Sequence, residues 1–240
     1  MLCRDEEGRV IEHFTRPMEP QVRKGLELAR LHQRMRGVDT TTTITELHVR
    51  QATSLNGLHN FPSLEVLILT GCDPVSLAAL PRMDQLISLT VQDSGLQDLG
   101  GIDRFPNLLV LDVQRNLLQD LGPLSDCNAT NITVMGNPLS RQSYEQILPK
   151  LAARGVRVYA DEPREWHLTC RMHAAGVPLS CWKSGSEHFL YAPGLGTTAD
   201  PWRNRVAIHV DELEAIVSRN PHELTTLFER FAQDDARQQS

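Results

Sequence analysis

Apolar residues recur through the middle of the chain with a step of 22: Leu64, Leu67 and Leu69, then Leu86, Leu89 and Val91, then Leu108, Leu111 and Val113. The match continues beyond each of these groups. Leu77, Leu80 and Met83 are followed by Leu99, Ile102 and Phe105, and then by Leu121, Leu124 and Cys127. A shorter unit opens near Ile44 with Leu47, Val49, Leu55, Leu58 and Phe61, and a partial one closes with Ile132, Val134, Asn137 and Leu139. Within each unit the first apolar pair has period two, which predicts a short strand with both side chains turned inward. The later positions, spaced by about three, suit a tight 3₁₀-like return. One such coil cannot bury its own apolar edge, so successive coils must stack, giving one continuous core and a parallel sheet along one side.

A second periodic position carries polar chemistry. Three residues after each strand's second apolar residue stand Ala52, Cys72, Ser94, Asn116 and Asn137. The chain turns sharply there and leaves backbone groups facing inward, which a buried Asn amide satisfies and smaller groups satisfy in part.

These residues resemble the leucine-rich-repeat family, in the 22-residue class. Its motif stands here as Leu86, Leu89, Val91, Ser94, Leu96 and again as Leu108, Leu111, Val113, Asn116, Leu118. The resemblance covers about residues 44–160, and the first unit departs from it by being two residues short. It implies an α/β fold: a leucine-rich-repeat solenoid with a short curved parallel sheet. The stretch from Gly136 to Val158 looks like the closing cap of bacterial members. Ser140 is placed to cap a helix, Tyr144, Leu148 and Leu151 share a face, and Val156 and Val158 suit a last strand.

The flanks read differently. Residues 1–43 carry a short strand at 10–14 and a capping helix over 19–36, started by Pro20 and stopped by Gly37, with apolar stripes Val22, Leu26, Ala29 and Leu28, Leu31, Met35. Residues 44–160 form the repeat domain with its cap. Residues 161–240 read as a small α+β domain with strands at 166–172, 187–191 and 205–209. Two helices follow, the first capped by Asp211 with Leu213, Ile216 and Val217 inward, the second carrying Leu224, Leu227, Phe228 and Phe231. The tail at 234–240 is polar and reads as frayed.

Composition narrows the function. The net charge is −6, without a long run of Lys or Arg, which argues against nucleic acid and against an anionic membrane surface. No stretch approaches the roughly 20 apolar residues that span a bilayer. The acidic start carries no apolar signal region, and five widely spaced cysteines read as free thiols, so a cytoplasmic location is expected.

The side chains between the inward residues share the other face of the sheet: Glu46, His48 and Arg50; Val66, Ile68 and Thr70; Ser88, Thr90 and Gln92; Val110, Asp112 and Gln114; Asn131, Thr133 and Met135. Val66, Ile68 and Val110 at its centre, ringed by polar residues, have the make-up of a protein interface. The alternative is that the valines reflect strand propensity alone, or that the flanking domain folds back over this face. The resemblance implies a non-catalytic protein-binding module working through the concave face, with another protein as partner and no cofactor. A bacterial immunity protein or adaptor fits this description. The competing reading is an effector or enzyme in which the repeats choose the target and residues 161–240 act on it.

Two constellations offer groups capable of chemistry. His167, Cys170, His173 and Cys181 superficially offer four zinc ligands, but a strand over 166–172 would put Cys170 opposite the histidines, and the spacing fits none of the usual paired motifs. Cys170 or Cys181 beside a histidine would be a nucleophile pair, yet no accompanying signature is present. Neither metal nor catalytic residues are assigned. Gly185, Gly194 and Gly196 suit turns rather than a phosphate-binding loop, and Cys72 and Cys127 suit small core positions.

Overall fold

The computed structural model describes residues 2–4, 10–12, 18–37, 43–72, 76–192 and 205–227. It is a mixed α/β structure built around a six-stranded parallel sheet. Strands β1 (Leu2–Arg4) and β2 (Val10–Glu12) pair antiparallel. Helix α1 (Pro20–Met35) starts with the Glu19 carboxylate accepting from the Gln21 and Val22 amides. Pro20 stands at its first position, where a missing N–H costs nothing.

The large sheet follows in chain order: β3 (Glu46–Arg50), β4 (Val66–Thr70), β5 (Ser88–Gln92), β6 (Val110–Asp112), β7 (Asn131–Thr133) and, after helix α2 (Leu148–Ala153), β8 (Arg157–Tyr159). The register keeps the sequence repeat: Leu47 pairs with Leu67, Leu67 with Leu89, Leu89 with Leu111, and Leu111 with Ile132. Strands β3 to β6 each return through a short 3₁₀ turn, at 58–60, 77–79, 102–104 and 122–126. The inward leucines of strand and return meet in one core running from Val22 of α1 to Trp166.

Close approach decides one end of this core. Helix α1 lies directly on β3 because residue 25 is glycine: a Cβ there would fall 2.6 Å from the His48 carbonyl oxygen. Val22 and Leu26 flank that contact and are buried, whereas Leu28, Leu31 and Met35 stay on the outer side of the helix.

The polar position of each coil forms a buried ladder. Asn116 Oδ1 accepts from the Ser94 and Leu96 amides, at 3.0 and 3.2 Å, while its Nδ2 donates to the carbonyls of Val91, Val113 and Gln114. Asn137 repeats the arrangement one coil on, with its Oδ1 on the Leu118 amide. Ser94 does half of it, accepting from the Cys72 amide and donating to the Gln92 carbonyl. Directly before this position every coil carries a left-handed residue: Gln51, Gly71, Asp93, Arg115 and Gly136, with φ between 53° and 72°.

Beyond the sheet lie helix α3 (Pro163–Ala174), the antiparallel sheet β9 (Ser180–Ser184), β10 (Glu187–Tyr191) and β11 (Arg205–Ala207), and helix α4 (Val210–Arg219). We call these the C-terminal lobe. The strand expected at 166–172 is instead the body of α3. Trp166, Leu168, Cys170 and Met172 alternate like a strand, but Pro163 starts a helix and Glu165, Trp166, Leu168, Thr169 and Met172 are its buried residues. That face is wide because the helix serves two cores. Trp166 belongs to the repeat core, while Leu168 and Met172 join Cys181, Leu190, Val206 and Leu213 in a second one. Strand β9 was missed in the sequence. Helix α4 begins two residues earlier than expected, with His209 at the cap and Asp211 inside the first turn. A last helix opens at Glu223; Leu224 is buried, whereas Phe228, Phe231 and the tail at 234–240 lie outside the described residues, as do residues 13–14, Gly194 and Gly196.

Candidate functional site

The outward residues of the six strands form three rows across the sheet. Glu46, Val66, Ser88, Val110 and Asn131 are in register, and Arg157 of β8 continues their row. His48, Ile68, Thr90, Asp112 and Thr133 form the middle row, continued by Tyr159. Arg50, Thr70 and Gln92 form the third, with Gln114 and Met135 just past the ends of their strands. All of these are half-buried or exposed, while the residues between them are buried, apart from half-buried Val158. Arg157 and Tyr159 were missed as surface residues, although their alternation around Val158 was visible.

The rows differ in chemistry. At the strand-end side a hydrogen-bonded network ties the polar side chains to one another. Asp112 accepts from Gln92 Nε2 at 2.7 Å and from Gln114 Nε2 at 2.9 Å. Arg115 donates to Gln114 Oε1 and Gln92 Oε1 and holds Asp93 through two nitrogens, the closer at 2.9 Å. Here the C-terminal lobe meets the sheet: Tyr191 of β10 donates its hydroxyl proton to Asp93, and the Arg115 guanidinium lies 5.3 Å from the Trp182 ring and 5.6 Å from that of Tyr191. Burial opposes the charge on Arg115, but the Asp93 hydrogen bonds outweigh it and hold its proton more tightly than usual. Burial, with Asp93 adding to it, pushes the Tyr191 hydroxyl far above its ordinary range.

Asp93, Arg115, Trp182 and Tyr191 were not singled out in the sequence. One local signal existed: Asp93 and Arg115 occupy the left-handed position that Gly71 and Gly136 fill in neighbouring coils. A charged residue accepting that backbone cost, about 1 kcal/mol, implies a compensating contact. Tyr191→Phe should therefore lower stability by about 1–2 kcal/mol, since Arg115 still neutralises Asp93 but one buried hydrogen bond is gone. Urea unfolding checks it, and a change below about 0.3 kcal/mol would show the contact to be idle.

At the strand-start side the surface is apolar. Ile87, Leu109 and Val110 are 42%, 45% and 37% exposed, beside half-buried Val66 and Ile68. Glu46 and Glu65, both exposed, stand at one end and Arg157 at the other. His48 lies between the two zones. Burial, and then the neighbouring Arg50, lower its pKa, and its Nε2 faces both the Arg50 Nε–H and Thr70 Oγ1.

The two chemical constellations fall elsewhere. Because 163–174 is helical, His167, Cys170 and His173 do not alternate across a strand but line one groove with Leu139, Ser140 and Arg141, of about 640 Å³. Trp166 borders it, stacked on Tyr144 at 3.9 Å with its Nε1 donating to the Leu139 carbonyl. Cys181 lies apart in the second core, and His188 pairs with Glu165 at 2.8 Å. Among the described residues no group of three or more His, Cys, Asp or Glu is arranged to hold a metal ion. Burial, and then the charge of Asp161, push the Cys170 thiol up to about 11, and burial with Glu165 pushes Cys181 up to about 12. Both are thiols, not thiolates, at neutral pH.

No protein-family model matches the chain, and no curated protein matches it. Among the described residues no helix is long and apolar enough to cross a membrane.

Proposed function

We propose that the chain is a leucine-rich-repeat solenoid acting as a non-catalytic protein-binding module, and that the exposed face of its parallel sheet receives the partner. The 22-residue step, the in-register parallel pairing and the Asn116–Asn137 ladder support the solenoid reading. The observation that carries the function is the apolar group Ile87, Leu109 and Val110 beside Val66 and Ile68, left in solvent next to a polar network that is already satisfied. Six strands at ~4.8 Å make a face about 25 Å wide, enough for a standard interface with one protein. The binding energy then centres on the apolar zone, with Gln92, Asp112 and Gln114 as a preset polar border.

The partner is another protein, and no part of the reading needs a cofactor. Within that class we favour an immunity protein or adaptor of bacterial type working in the cytoplasm, on the strength of the acidic chain, the free thiols Cys72, Cys127, Cys170 and Cys181, and the closing cap. A catalytic role for the C-terminal lobe draws no support from its thiols, which are held protonated.

The test is the double variant Ile68→Asp, Val110→Asp. Both side chains reach solvent, so the fold should melt as in the wild type. A partner identified by capture from the native host should bind the variant at least a hundredfold more weakly, the effect of losing a small interface centre worth roughly 3 kcal/mol. Unchanged affinity in titration calorimetry would move the site off this face.

A further inference from the structure

Two carboxylates are buried where the repeat core meets the C-terminal lobe, and each has one oxygen without a hydrogen bond among the described residues. Asp161 is 8% exposed; its Oδ2 accepts from the Gly136 amide at 2.7 Å, and its Oδ1 has no hydrogen bond among the described residues. Glu165 is 3% exposed; its Oε1 meets His188 Nε2 at 2.8 Å, and its Oε2 has no hydrogen bond among the described residues. The two stand four residues apart across the start of α3, and the charge of Glu165 raises the cost of charging Asp161.

Among the described residues the surroundings offer the Asp161 carboxylate little to neutralise it. Tyr144 from the cap helix donates its hydroxyl to the Asp161 carbonyl, not to its carboxylate. Cys170 of α3 and Cys181 of β9 stay protonated, and the His188 ring of β10 lies against Glu165 rather than Asp161. Arg164 and Lys183 are spent at the exposed side, on Asp211 with Glu214 and on Glu162. The α3 N-terminus favours a carboxylate, but only by a fraction of what burying a second negative charge costs.

We propose that this buried cluster takes up one proton in the folded protein, held on the Asp161 carboxyl, and that this proton makes the seam between the repeat core and the C-terminal lobe pH-sensitive. A neutral Asp161 spares the seam a second buried negative charge beside Glu165. Raising the pH removes the proton to solvent and leaves two buried carboxylates close together. Burial, opposed by the Gly136 amide and helped by Glu165, pushes the Asp161 carboxyl up to about 7, in line with this arrangement.

The sign follows from linkage. Unfolded, Asp161 loses its proton near the ordinary 3.8; folded, it keeps it to about 7. Between those values only the folded state holds the proton, so stability falls as pH rises through the window and levels off above it. The wild-type unfolding constant should therefore rise on the order of tenfold or more between pH 5 and pH 8 relative to that of Asp161→Asn, whose titratable proton is gone. Equal pH slopes for the two proteins would overturn the proposal. Because the variant could fail to fold, carboxyl carbon-13 shifts of the wild-type protein provide a second reading. One carboxyl of this pair should titrate between pH 6 and 8, and Glu165→Gln should move the Asp161 titration down toward the ordinary range. Two carboxyls both titrating below pH 5 would equally refute it.

Discussion

Asn116→Ala is expected to lower the stability of the protein by about 3–5 kcal/mol, the larger of the two strongest effects anticipated here. The Asn116 side chain is fully buried and makes five hydrogen bonds to backbone atoms of two adjacent coils. Alanine leaves the Ser94 and Leu96 amides facing a dry interior and deprives three carbonyls of a donor. Each orphaned buried group costs about 1–3 kcal/mol, and the total is less than the sum because the coils relax. Asn116→Ser separates the mechanism from mere loss of volume. Ser94 shows that a hydroxyl at this position accepts one amide and donates to one carbonyl, so serine should recover about half the loss. Guanidinium unfolding of the three proteins measures it. If serine and alanine were equally destabilised, or if alanine cost under about 1 kcal/mol, the ladder would not be holding the coils in register.

Trp166→Ala is expected to cost about 3–4 kcal/mol, and to do so at one place. The indole is 5% exposed, stacks on Tyr144 at 3.9 Å with an interplanar angle of 4°, and donates to the Leu139 carbonyl at 2.8 Å. It is the buried residue through which α3 enters the repeat core, with half-buried Cys170 beside that core, whereas Leu168 and Met172 belong to the other core. Removing it should loosen the seam without disturbing the repeat ladder, so thermal unfolding should split into two steps with the lobe melting first. Trp166→Phe keeps an aromatic surface for Tyr144 but loses the Nε1 bond, so a loss nearer 1 kcal/mol is expected. A single cooperative transition shifted by less than about 2 °C would show that α3 is anchored elsewhere, for example through the Tyr191–Asp93 contact.

The repeat was legible because its signal is redundant. Leu67, Leu89 and Leu111 occupy the same place in three successive units, so no single ambiguous residue could mislead, and inward and outward sides followed from period two. Helix α3 was misread for the opposite reason. Trp166, Leu168, Cys170 and Met172 alternate over only seven residues, a length at which periods of 2.0 and 3.6 coincide on several positions. A helix buried on two sides also lacks the narrow apolar stripe that would have identified it. Pro163 was the available correction, since a proline three residues ahead of Trp166 suits the first turn of a helix, where its missing N–H costs nothing.

What the sequence determined by itself is the stacking of like coils, the inward leucines and asparagines, and the set of side chains left on the far face. These follow from local periodicity, which any segment carries within a few residues of itself. What only the tertiary structure decided is how that face is divided. Tyr191 reaches Asp93 across 98 positions of chain, and Trp182 lies over Arg115, committing one edge of the sheet to the C-terminal lobe and leaving Ile87, Leu109 and Val110 in solvent. Pairings so distant leave no periodic trace, because they depend on where two separately built cores come to rest against each other. The same holds for Asp161 and Glu165, ordinary acids on paper, whose chemistry exists only because α3 is enclosed from both sides.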